Sequence, residues 1–397
     1  MATTATTPAV EELIERVRAL APLVEEHRER LDRERAIPDE ITSELAEAGL
    51  FRIWAPAEFG GHQLDPVGGL RVISEVARLD GSVGWVVMLL ASYSSFAGRL
   101  PADAAREIYG PADAAVAGQI SPAGATARIV NGGYQVNGRW PFGSGSGQAT
   151  WFVGNCRVEE DGDDEQSVEE GGPPRMVWAF TPAANVEIHD TWHTAGLRGT
   201  ASHDYSMTDV FVPSEFAIQP FGGQPVRDEA LYQYPLRSIL LPGVASVPLG
   251  IARAAIDAFV ELATEKPVRG GGQTQADREL VQMAVARAEN LLGAARALLF
   301  ESVGTVWEAV ERGEAPTLHQ RARIGAACAH VGASCVEAVD RMYELGGGSS
   351  VFESRKLERC LRDVHTARQH AAASDGPLRT PGRVFLGEDS AELSAMI

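Results

Sequence analysis

The sequence contains few cysteines and a shortage of positive charge, and each shortage excludes a class of protein. Four cysteines are scattered over 397 residues without a CxxC pair, so neither a disulfide framework nor a zinc site is indicated. With 35 basic against 54 acidic residues the formal net charge is -19, which repels nucleic acid phosphates and anionic membrane surfaces. We therefore expect reduced thiols and neither nucleic acid nor a membrane as a partner.

The sequence also lacks a recognisable targeting segment. Its first residues, Met1 to Pro8, have no basic region followed by an apolar core. No apolar run reaches the roughly 20 residues that span a bilayer. What is present is a hydrophobic fraction of 45%, enough to bury a core in two or three domains. We predict a soluble, cytoplasmic, globular protein.

Hydrophobic periodicity divides the chain into a helical block, a β block and a second helical block. Apolar residues recur at three and four as far as Tyr109, and the period is two from about Ala115 to Pro213. After a linker running to about Pro242, long Ala-rich helices are predicted at 275–311 and 318–345. The fold class is therefore α+β, with an N-terminal helical domain (1–114), a central β-barrel or sandwich domain (115–222) and a C-terminal four-helix bundle domain (223–397).

Glycine-rich and acidic stretches of the β block are interpreted as its turns and loops. Asn131-Gly132-Gly133 and Asn137-Gly138 are predicted to form hairpin turns, because these residues tolerate positive φ. The segment from Glu159 to Pro174 combines acidic residues with glycines and a Pro-Pro pair. We predict an acidic surface loop between two strands there.

Three sequence patterns suggest common kinds of active site, but their spacing or local geometry does not meet the requirements of those sites. The glycine-rich segment 142–148 fits neither a phosphate loop nor a dinucleotide fingerprint. Ser202-His203-Asp204 cannot form a relay within one strand, since adjacent side chains point to opposite faces, and it is predicted to be a surface strand. His365 and His370 would lie about 140° apart on a helix, so they would not chelate one ion. We predict no metal site.

Five segments of the chain are informative when they are taken together and in order. They are Pro38–Phe51 with Pro56–Gly61, Ala77–Trp85, Asn137–Gly145, Asp190–Ser202, and Gly346–Gly348 with Arg362-Asp363. Individually each is a weak signal, but in this order they resemble the acyl-CoA dehydrogenase superfamily over essentially the whole chain. The resemblance implies that superfamily's fold, with a helical domain, a β domain and a helical bundle.

The position of the catalytic base separates branches of this superfamily. Dehydrogenases commonly carry a glutamate after the Arg-Asp helix, which removes a proton α to the thioester. This chain has His370-Ala371 there, and so it resembles the group D two-component flavin monooxygenases, which include phenol and steroid-ring hydroxylases and dibenzothiophene monooxygenases. The resemblance implies an oxygenase component that takes reduced FMN or FAD from a separate NAD(P)H:flavin reductase. With O₂ it would form a C4a-hydroperoxyflavin and hydroxylate a small organic substrate, which the resemblance implies is aromatic or polycyclic.

Two residues are the candidates for catalysis. The resemblance implies that His370 acts as an acid or base beside the flavin, and on a continuous helix it would share a face with Arg362 and Thr366. It also implies that the Ser144 hydroxyl lies near flavin N5, where it can hydrogen-bond the oxygenated cofactor. The simpler alternatives are a core or capping histidine and a turn serine among glycines.

Further residues are assigned by the same resemblance. Trp140 and Phe142 are expected to wall the flavin, and Arg198 and Gly346, Gly347 and Gly348 to contact its tail. Trp85, Tyr93 and His370 are expected to bind substrate. Related phenol hydroxylases carry a histidine at the position of Tyr93, so a phenolic substrate does not follow. Long C-terminal helices and the family suggest a homotetramer.

Other functions remain open at this point. The chain could be an acyl-CoA dehydrogenase whose base lies elsewhere in the fold, or an N- or S-oxygenating member of the same branch. A non-catalytic helical assembly protein of this fold is a third reading. The sequence does not decide between FMN and FAD.

Overall fold

The computed structural model describes residues 8–121, 123–159, 175–220, 223–265 and 274–396. Apart from Glu159, the predicted acidic loop lies outside these residues. The described chain follows the predicted order of helices, strands and helices.

The N-terminal block consists of helices packed round one buried helix. Asp80 begins that helix, because its carboxylate accepts the Ser82 and Val83 N–H groups at 2.9 and 3.1 Å. The helix is apolar on nearly every face and is buried along its length, as its sequence predicts. The helices are α1 (Pro8–Ala19), α2 (Ala21–Glu26), α3 (Arg28–Glu34), α4 (Asp39–Glu47), α5 (Pro66–Leu79), the buried α6 (Gly81–Ser94) and α7 (Ala102–Tyr109).

The central block is a mixed sheet. Its strands are β1 (Val116–Gln119), β2 (Thr126–Val130), β3 (Gly133–Gly143), β4 (Trp151–Glu159), β5 (Met176–Pro182), β6 (Glu187–His189), β7 (His203–Pro213) and β8 (Ala217–Ile218). They are hydrogen-bonded in the order β6-β7-β3-β2-β4-β5-β8, and β1 pairs with β4. Strand β4 is parallel to both β1 and β2, and the other pairs are antiparallel.

The two predicted Asn-Gly turns have different outcomes. Asn131 and Gly132 join the antiparallel strands β2 and β3, as predicted. The prediction of a turn at Asn137-Gly138 is wrong, because β3 continues through it and only shifts register there against β7. The Asn137 amide exchanges hydrogen bonds with Asp209, whose backbone φ is 51°, and this pairing makes the site a bulge instead of a chain reversal.

The C-terminal block is built on four long helices. They are α9 (Arg237–Glu265), α10 (Glu279–Glu311), α11 (Leu318–Gly346) and α12 (Lys356–Ala367), with the short helices α8 (Ala230–Gln233), α13 (Arg379–Phe385) and α14 (Ala391–Met396) beside them. The predicted long helices agree closely with α10 and α11. Helix α9 begins earlier than predicted and contains Pro242 and Pro248. It packs on α5, α6, α11 and α12, and that burial outweighs the local cost of the prolines.

Two helical stretches among the described residues have the length and apolar composition of a membrane span, although the lengths of the uninterrupted apolar runs predicted none. They are Gly81–Gly98 and Arg237–Glu265. Of their most apolar windows, 94% and 83% of the residues are buried inside the fold. Burial of this extent is that of core helices.

Candidate active site

Trp85 joins three parts of the chain at one place. Its indole Nε1 donates to Ser144 Oγ at 3.1 Å, and its ring meets the His370 ring edge-on with centroids 5.6 Å apart. The side chain is only 8% exposed, so its N–H requires an acceptor inside the protein. The two predicted catalytic residues, more than 200 positions apart in sequence, are thereby brought to the same indole.

Ser144 lies in the turn that follows β3. Its backbone N–H donates to the Phe142 carbonyl at 2.8 Å, and the N–H of Gly145 donates to the Thr200 carbonyl at 2.9 Å. Ser146 reaches the same neighbouring segment by donating from Oγ to the Ala201 carbonyl at 2.7 Å. The turn is therefore fixed against residues 197–202, and Ser144 itself is buried.

The segment 197–202 is held by side chains from two helices. Its Leu197 N–H donates to the Asp363 carboxylate of α12 at 2.6 Å, and its Gly199 N–H donates to Ser82 Oγ of α6 at 3.1 Å. A Cβ at Gly196 would lie 2.1 Å from the Arg362 carbonyl oxygen, so only glycine allows this approach to α12. The segment is thus placed by tertiary contacts on both flanks.

A buried group of charges fixes those helices to each other. Arg359 pairs with Asp80 at 2.8 Å, with Asp32 at 3.3 Å and more distantly with Asp363 at 3.8 Å. Burial, reinforced by the negative charge of Asp80, raises the pKa of the Asp363 carboxyl to about 7 although Arg359 lies beside it. This group links the start of α6 to α12.

Ser144 continues into a chain of hydroxyl groups that the sequence interpretation missed. Its Oγ lies 2.6 Å from Ser202 Oγ, which lies 2.6 Å from Thr200 Oγ1, and Thr200 donates to the Leu197 carbonyl at 2.9 Å. The prediction that Ser202 is on a surface strand is wrong. Strand β7 begins only at His203, and a left-handed residue, Ala201 (φ 45°), precedes Ser202, which is buried. The sequence signal was the pair of small hydroxyl residues after Gly199.

His370 does not lie on the helical face predicted for it. Helix α12 ends at Ala367, so the proposed common face with Arg362 and Thr366 is wrong. His370 instead has an extended backbone (φ −66°, ψ 138°) and caps the 3₁₀ helix Ala371–Ala373, whose Ala372 N–H donates to Nδ1 at 3.1 Å. Because Nδ1 is the acceptor, the neutral ring carries its proton on Nε2.

The charge of His370 is set by its surroundings. Solvent still reaches the side chain, but the protein packed round the ring lowers the pKa of the imidazole by desolvation. At neutral pH the ring is therefore uncharged and presents an Nε2–H donor.

The second histidine of this region has a separate setting. His365 Nε2 lies 2.8 Å from Asp340 Oδ1 in an exposed pair between α12 and α11. Among the described residues, no group of three or more His, Cys, Asp or Glu side chains could hold a metal ion.

Comparisons with known proteins agree with this arrangement. Residues 7–98 match the family model of the acyl-CoA dehydrogenase N-terminal domain, and residues 243–375 match that of the acyl-CoA dehydrogenase C-terminal domain. An indole-3-acetate monooxygenase of Pseudomonas putida is 34% identical over 382 residues, which cover 96% of this chain and 94% of the relative. The chain belongs to the acyl-CoA dehydrogenase superfamily.

Within the superfamily, the enzyme is one of the flavin-dependent monooxygenases. The oxygenase subunit HsaA of a flavin-dependent monooxygenase from Rhodococcus jostii is 28% identical, over 90% of this chain and 94% of its own length. XiaF from Streptomyces sp., solved in complex with FADH2 and glycerol, superposes with a TM-score of 0.87 at 25% identity and covers 97% of this chain and 98% of its own. The predicted fold and enzyme class are confirmed.

Two aromatic residues predicted at the site lie in the core of this monooxygenase. Trp140 is fully buried, stacks on Tyr205 with centroids 5.2 Å apart and donates from Nε1 to the Asn155 carbonyl. Tyr93 is buried as well, and its hydroxyl donates to the Gly118 carbonyl at 3.2 Å. Trp140 thus packs within the β block and Tyr93 between α6 and β1, and their assignment to flavin and substrate stays a prediction.

The remaining predicted residues differ in how much space surrounds them. Phe142 is 59% exposed and meets Trp192 edge-on, so it offers an apolar ring face next to Ser144. Gly347, at φ 57° and ψ −139°, ends α11, and nothing lies within 4 Å of a Cβ built there or at Gly348. Backbone can approach a cofactor closely at such positions. Gly346 instead packs on Ser350, and Arg198 is half-buried beside the hydroxyl chain.

Proposed function

We propose that this enzyme is the oxygenase component of a two-component system. It receives reduced flavin from a separate NAD(P)H:flavin reductase and uses O₂ to hydroxylate a small aromatic or polycyclic compound. The naming of the HsaA relative as an oxygenase subunit supports the separate reductase. The FADH2 found with XiaF supports reduced FAD over reduced FMN. Phe142, Ser144, Gly347 and Gly348 would hold the cofactor, with Arg198 and Gly346 beside its tail.

One observation carries this proposal. Trp85 donates to the Ser144 hydroxyl and also meets the His370 ring, so a hydrogen-bonding group for a flavin and a titratable group for a substrate contact the same indole. A dehydrogenase would require a carboxylate base there. The chain supplies a neutral imidazole instead.

The geometry of His370 defines what it can do. When bound, the reduced flavin would supply the electrons and the site of oxygen activation. His370 Nε2–H can donate a hydrogen bond to substrate or to an oxygen atom, because Nδ1 is held by Ala372. To act as a base, the ring would have to take a proton on Nδ1 and release that N–H. We therefore assign His370 the role of a hydrogen-bond donor in the resting enzyme.

The substrate is proposed to bind along the face of α6 that begins at Trp85. Ser92 lies seven positions further on, and therefore on the same face, whereas Tyr93 is turned about 80° away. The Ser92 hydroxyl is buried without a hydrogen-bond partner among the described residues. A Cβ built on Gly243 of α9 would lie 3.0 Å from it. We infer an aromatic substrate with one polar group, and the indole-3-acetate named for the P. putida relative is of that kind.

Oxygen labelling tests the proposal. The protein is mixed with chemically reduced FAD, isotopically labelled O₂ and a panel of indoles, phenols and polycyclic phenols, and products are analysed by mass spectrometry. We expect incorporation of one labelled oxygen atom, with the rate lowered by about 10²- to 10³-fold in His370→Asn, which removes the Nε2–H donor. Asparagine keeps the capping acceptor, so flavin affinity should be retained. Reduction of bound FAD by acyl-CoA thioesters, without oxygen transfer to any probe, would contradict the proposal.

We also propose a cytoplasmic homotetramer. Apolar side chains are exposed on α10 at Leu280 and Met283, and after α11 at Val351 and Phe352. Exposed apolar surface of this kind is typical of subunit contacts. The second pair follows the glycines assigned to the flavin, so a neighbouring subunit could contact the same cofactor. Sedimentation equilibrium should give four times the chain mass, and a monomer at micromolar concentration would refute it.

A further inference from the structure

The hydroxyl chain from Ser144 to Leu197 has one preferred direction. Thr200 Oγ1 donates to the Leu197 carbonyl at 2.9 Å, which uses its single proton. In its 2.6 Å contact with Ser202, Thr200 must then accept. Because Ser202 donates its single proton to Thr200, it must accept from Ser144 in their 2.6 Å contact. The proton of Ser144 therefore points away from Trp85 and towards Ser202.

If the hydroxyls donated in the opposite direction, each end of the chain would have an unfavourable or missing hydrogen bond. Thr200 would turn a lone pair towards the Leu197 carbonyl oxygen at 2.9 Å, and two acceptors at that distance repel. The Ser144 proton would also be left without an acceptor among the described contacts, because Trp85 Nε1 can only donate. Thr200 and Ser202 are at most 3% exposed, so solvent does not offer these two hydroxyls alternative partners.

The direction decides what Ser144 offers to a ligand. A hydroxyl oxygen has two lone pairs, of which one accepts the Trp85 N–H. With its proton committed to Ser202, Ser144 has only the second lone pair left. It is therefore an acceptor for a further group and not a donor.

An acceptor at Ser144 is complementary to the reduced state of a flavin. Reduced flavin carries a hydrogen on ring N5 and can donate there, whereas N5 of oxidised flavin has no hydrogen and can only accept. We propose that Ser202 and Thr200 are positioning residues that hold Ser144 as an acceptor and thereby make the site select reduced over oxidised flavin. This inference rests on the proposed function, which sets the flavin ring against Ser144.

The selectivity is measured by anaerobic titration of the purified protein with FAD, either oxidised or reduced with dithionite. In Thr200→Val the Ser202 proton loses its acceptor and turns to Ser144, whose own proton is then released towards the ligand. We expect binding of reduced FAD to weaken and binding of oxidised FAD to strengthen. The dissociation constant for oxidised FAD divided by that for reduced FAD should therefore fall on the order of tenfold. A purely structural defect would weaken both forms together.

Matched variants isolate the hydroxyl chain. Thr200→Ser keeps the hydroxyl and should keep the wild-type ratio. Thr181→Val makes the same isosteric change at a buried threonine of β5, which lies outside the chain, and should also keep it. If Thr200→Val does not fold, Ser202→Ala frees Ser144 to rotate and should move the ratio in the same direction.

Two further outcomes separate this inference from the proposed function. If Ser144→Ala binds both forms of FAD with wild-type affinity, the flavin does not lie against Ser144 and this inference fails, whereas the oxygenase function is refuted only by the oxygen-labelling experiment. If Ser144→Ala alters binding but Thr200→Val and Ser202→Ala leave the ratio unchanged, only the role of the chain is overturned.

Discussion

Two buried polar networks hold the segment 197–202 from different sides, and they differ in charge. On one side, Asp363 accepts its Leu197 N–H, and Arg359 joins Asp363 and Asp80 in a group that fixes α12 to the start of α6. On the other, the neutral hydroxyls of Thr200 and Ser202 lead to Ser144. The first network connects helices, and the second ends at the site where we place the flavin.

The difference shows how a site can have fixed atomic positions while the direction of its hydrogen bonds can still change. Buried charges have one favourable arrangement, because separating them leaves an uncompensated ion in a medium of low dielectric constant. A row of hydroxyls can in principle donate in either direction, and only its terminal acceptor, the Leu197 carbonyl, decides. We expect the charged network to dominate stability and the neutral one to dominate cofactor preference.

The largest expected effect is on the charged network. Arg359→Met leaves Asp80 and Asp363 buried without their cation, and we expect the free energy of unfolding to fall by about 3–5 kcal/mol. Urea denaturation followed by circular dichroism measures it. The control is Arg16→Met, which breaks the exposed pair with Glu12 and should change stability by less than about 1 kcal/mol. Equal effects would refute the contrast between buried and exposed pairs.

The titration of Asp363 sharpens the comparison. Its pKa is about 7 in the folded protein and about 3.9 in an unfolded chain. Between these values the folded state binds the extra proton, so the contribution of Asp363 to stability falls as pH rises, by up to about 1.4 kcal/mol per pH unit. Asp363→Asn removes this titration, and its stability relative to wild type should therefore rise from about pH 4 to about pH 7.

The measurement is urea unfolding of both proteins at several pH values across that window. A stability difference that does not depend on pH would mean that Asp363 remains ionised beside Arg359 throughout.

The neutral network should matter less for stability. Thr200→Val removes the acceptor of the buried Ser202 hydroxyl, and we expect a loss of about 1–2 kcal/mol in the free energy of unfolding. The same denaturation experiment applies. A loss as large as that of Arg359→Met would show that the hydroxyl chain is a structural anchor of equal weight.

The smallest expected effect concerns the cap formed by His370. His370→Ala removes the Nδ1 acceptor of the Ala372 N–H and should cost about 1 kcal/mol, whereas His370→Asn retains a capping oxygen and should cost less. Thermal unfolding of the two variants compares them. Equal stabilities would indicate that the 3.1 Å contact does not contribute.

Much of the architecture could be predicted from the sequence. The helices at 275–311 and 318–345 agree closely with α10 and α11, because long amphipathic patterns with strong helix formers carry their own signal. The turn at Asn131-Gly132 is as predicted, yet the same dipeptide chemistry at Asn137-Gly138 produces a bulge. Local preference was equal at the two sites, and pairing with Asp209 on a distant strand decided the second.

The candidate site was predictable only in part. His370 and Ser144 were found through family resemblance, and the structure brings them to one indole. Trp140 and Tyr93 were assigned to the site but lie in the core, since an aromatic residue on a strand or helix does not reveal which side of its element faces a cleft. Ser202 and Thr200 were overlooked, because their function depends on contacts with Ser144, more than fifty residues away.

By itself the sequence determined the order of helices and strands, the superfamily and the presence of a histidine where a dehydrogenase has a glutamate. The order of elements follows from periodicity, which neighbouring residues encode, and the other two follow from the resemblance of five segments to that superfamily. Only the tertiary structure decided that α12 ends before His370, which nitrogen of the imidazole carries the proton, and in which direction the buried hydroxyls donate. Each of these depends on the nearest acceptor in space, and for Ser144 that acceptor is supplied by a distant part of the chain.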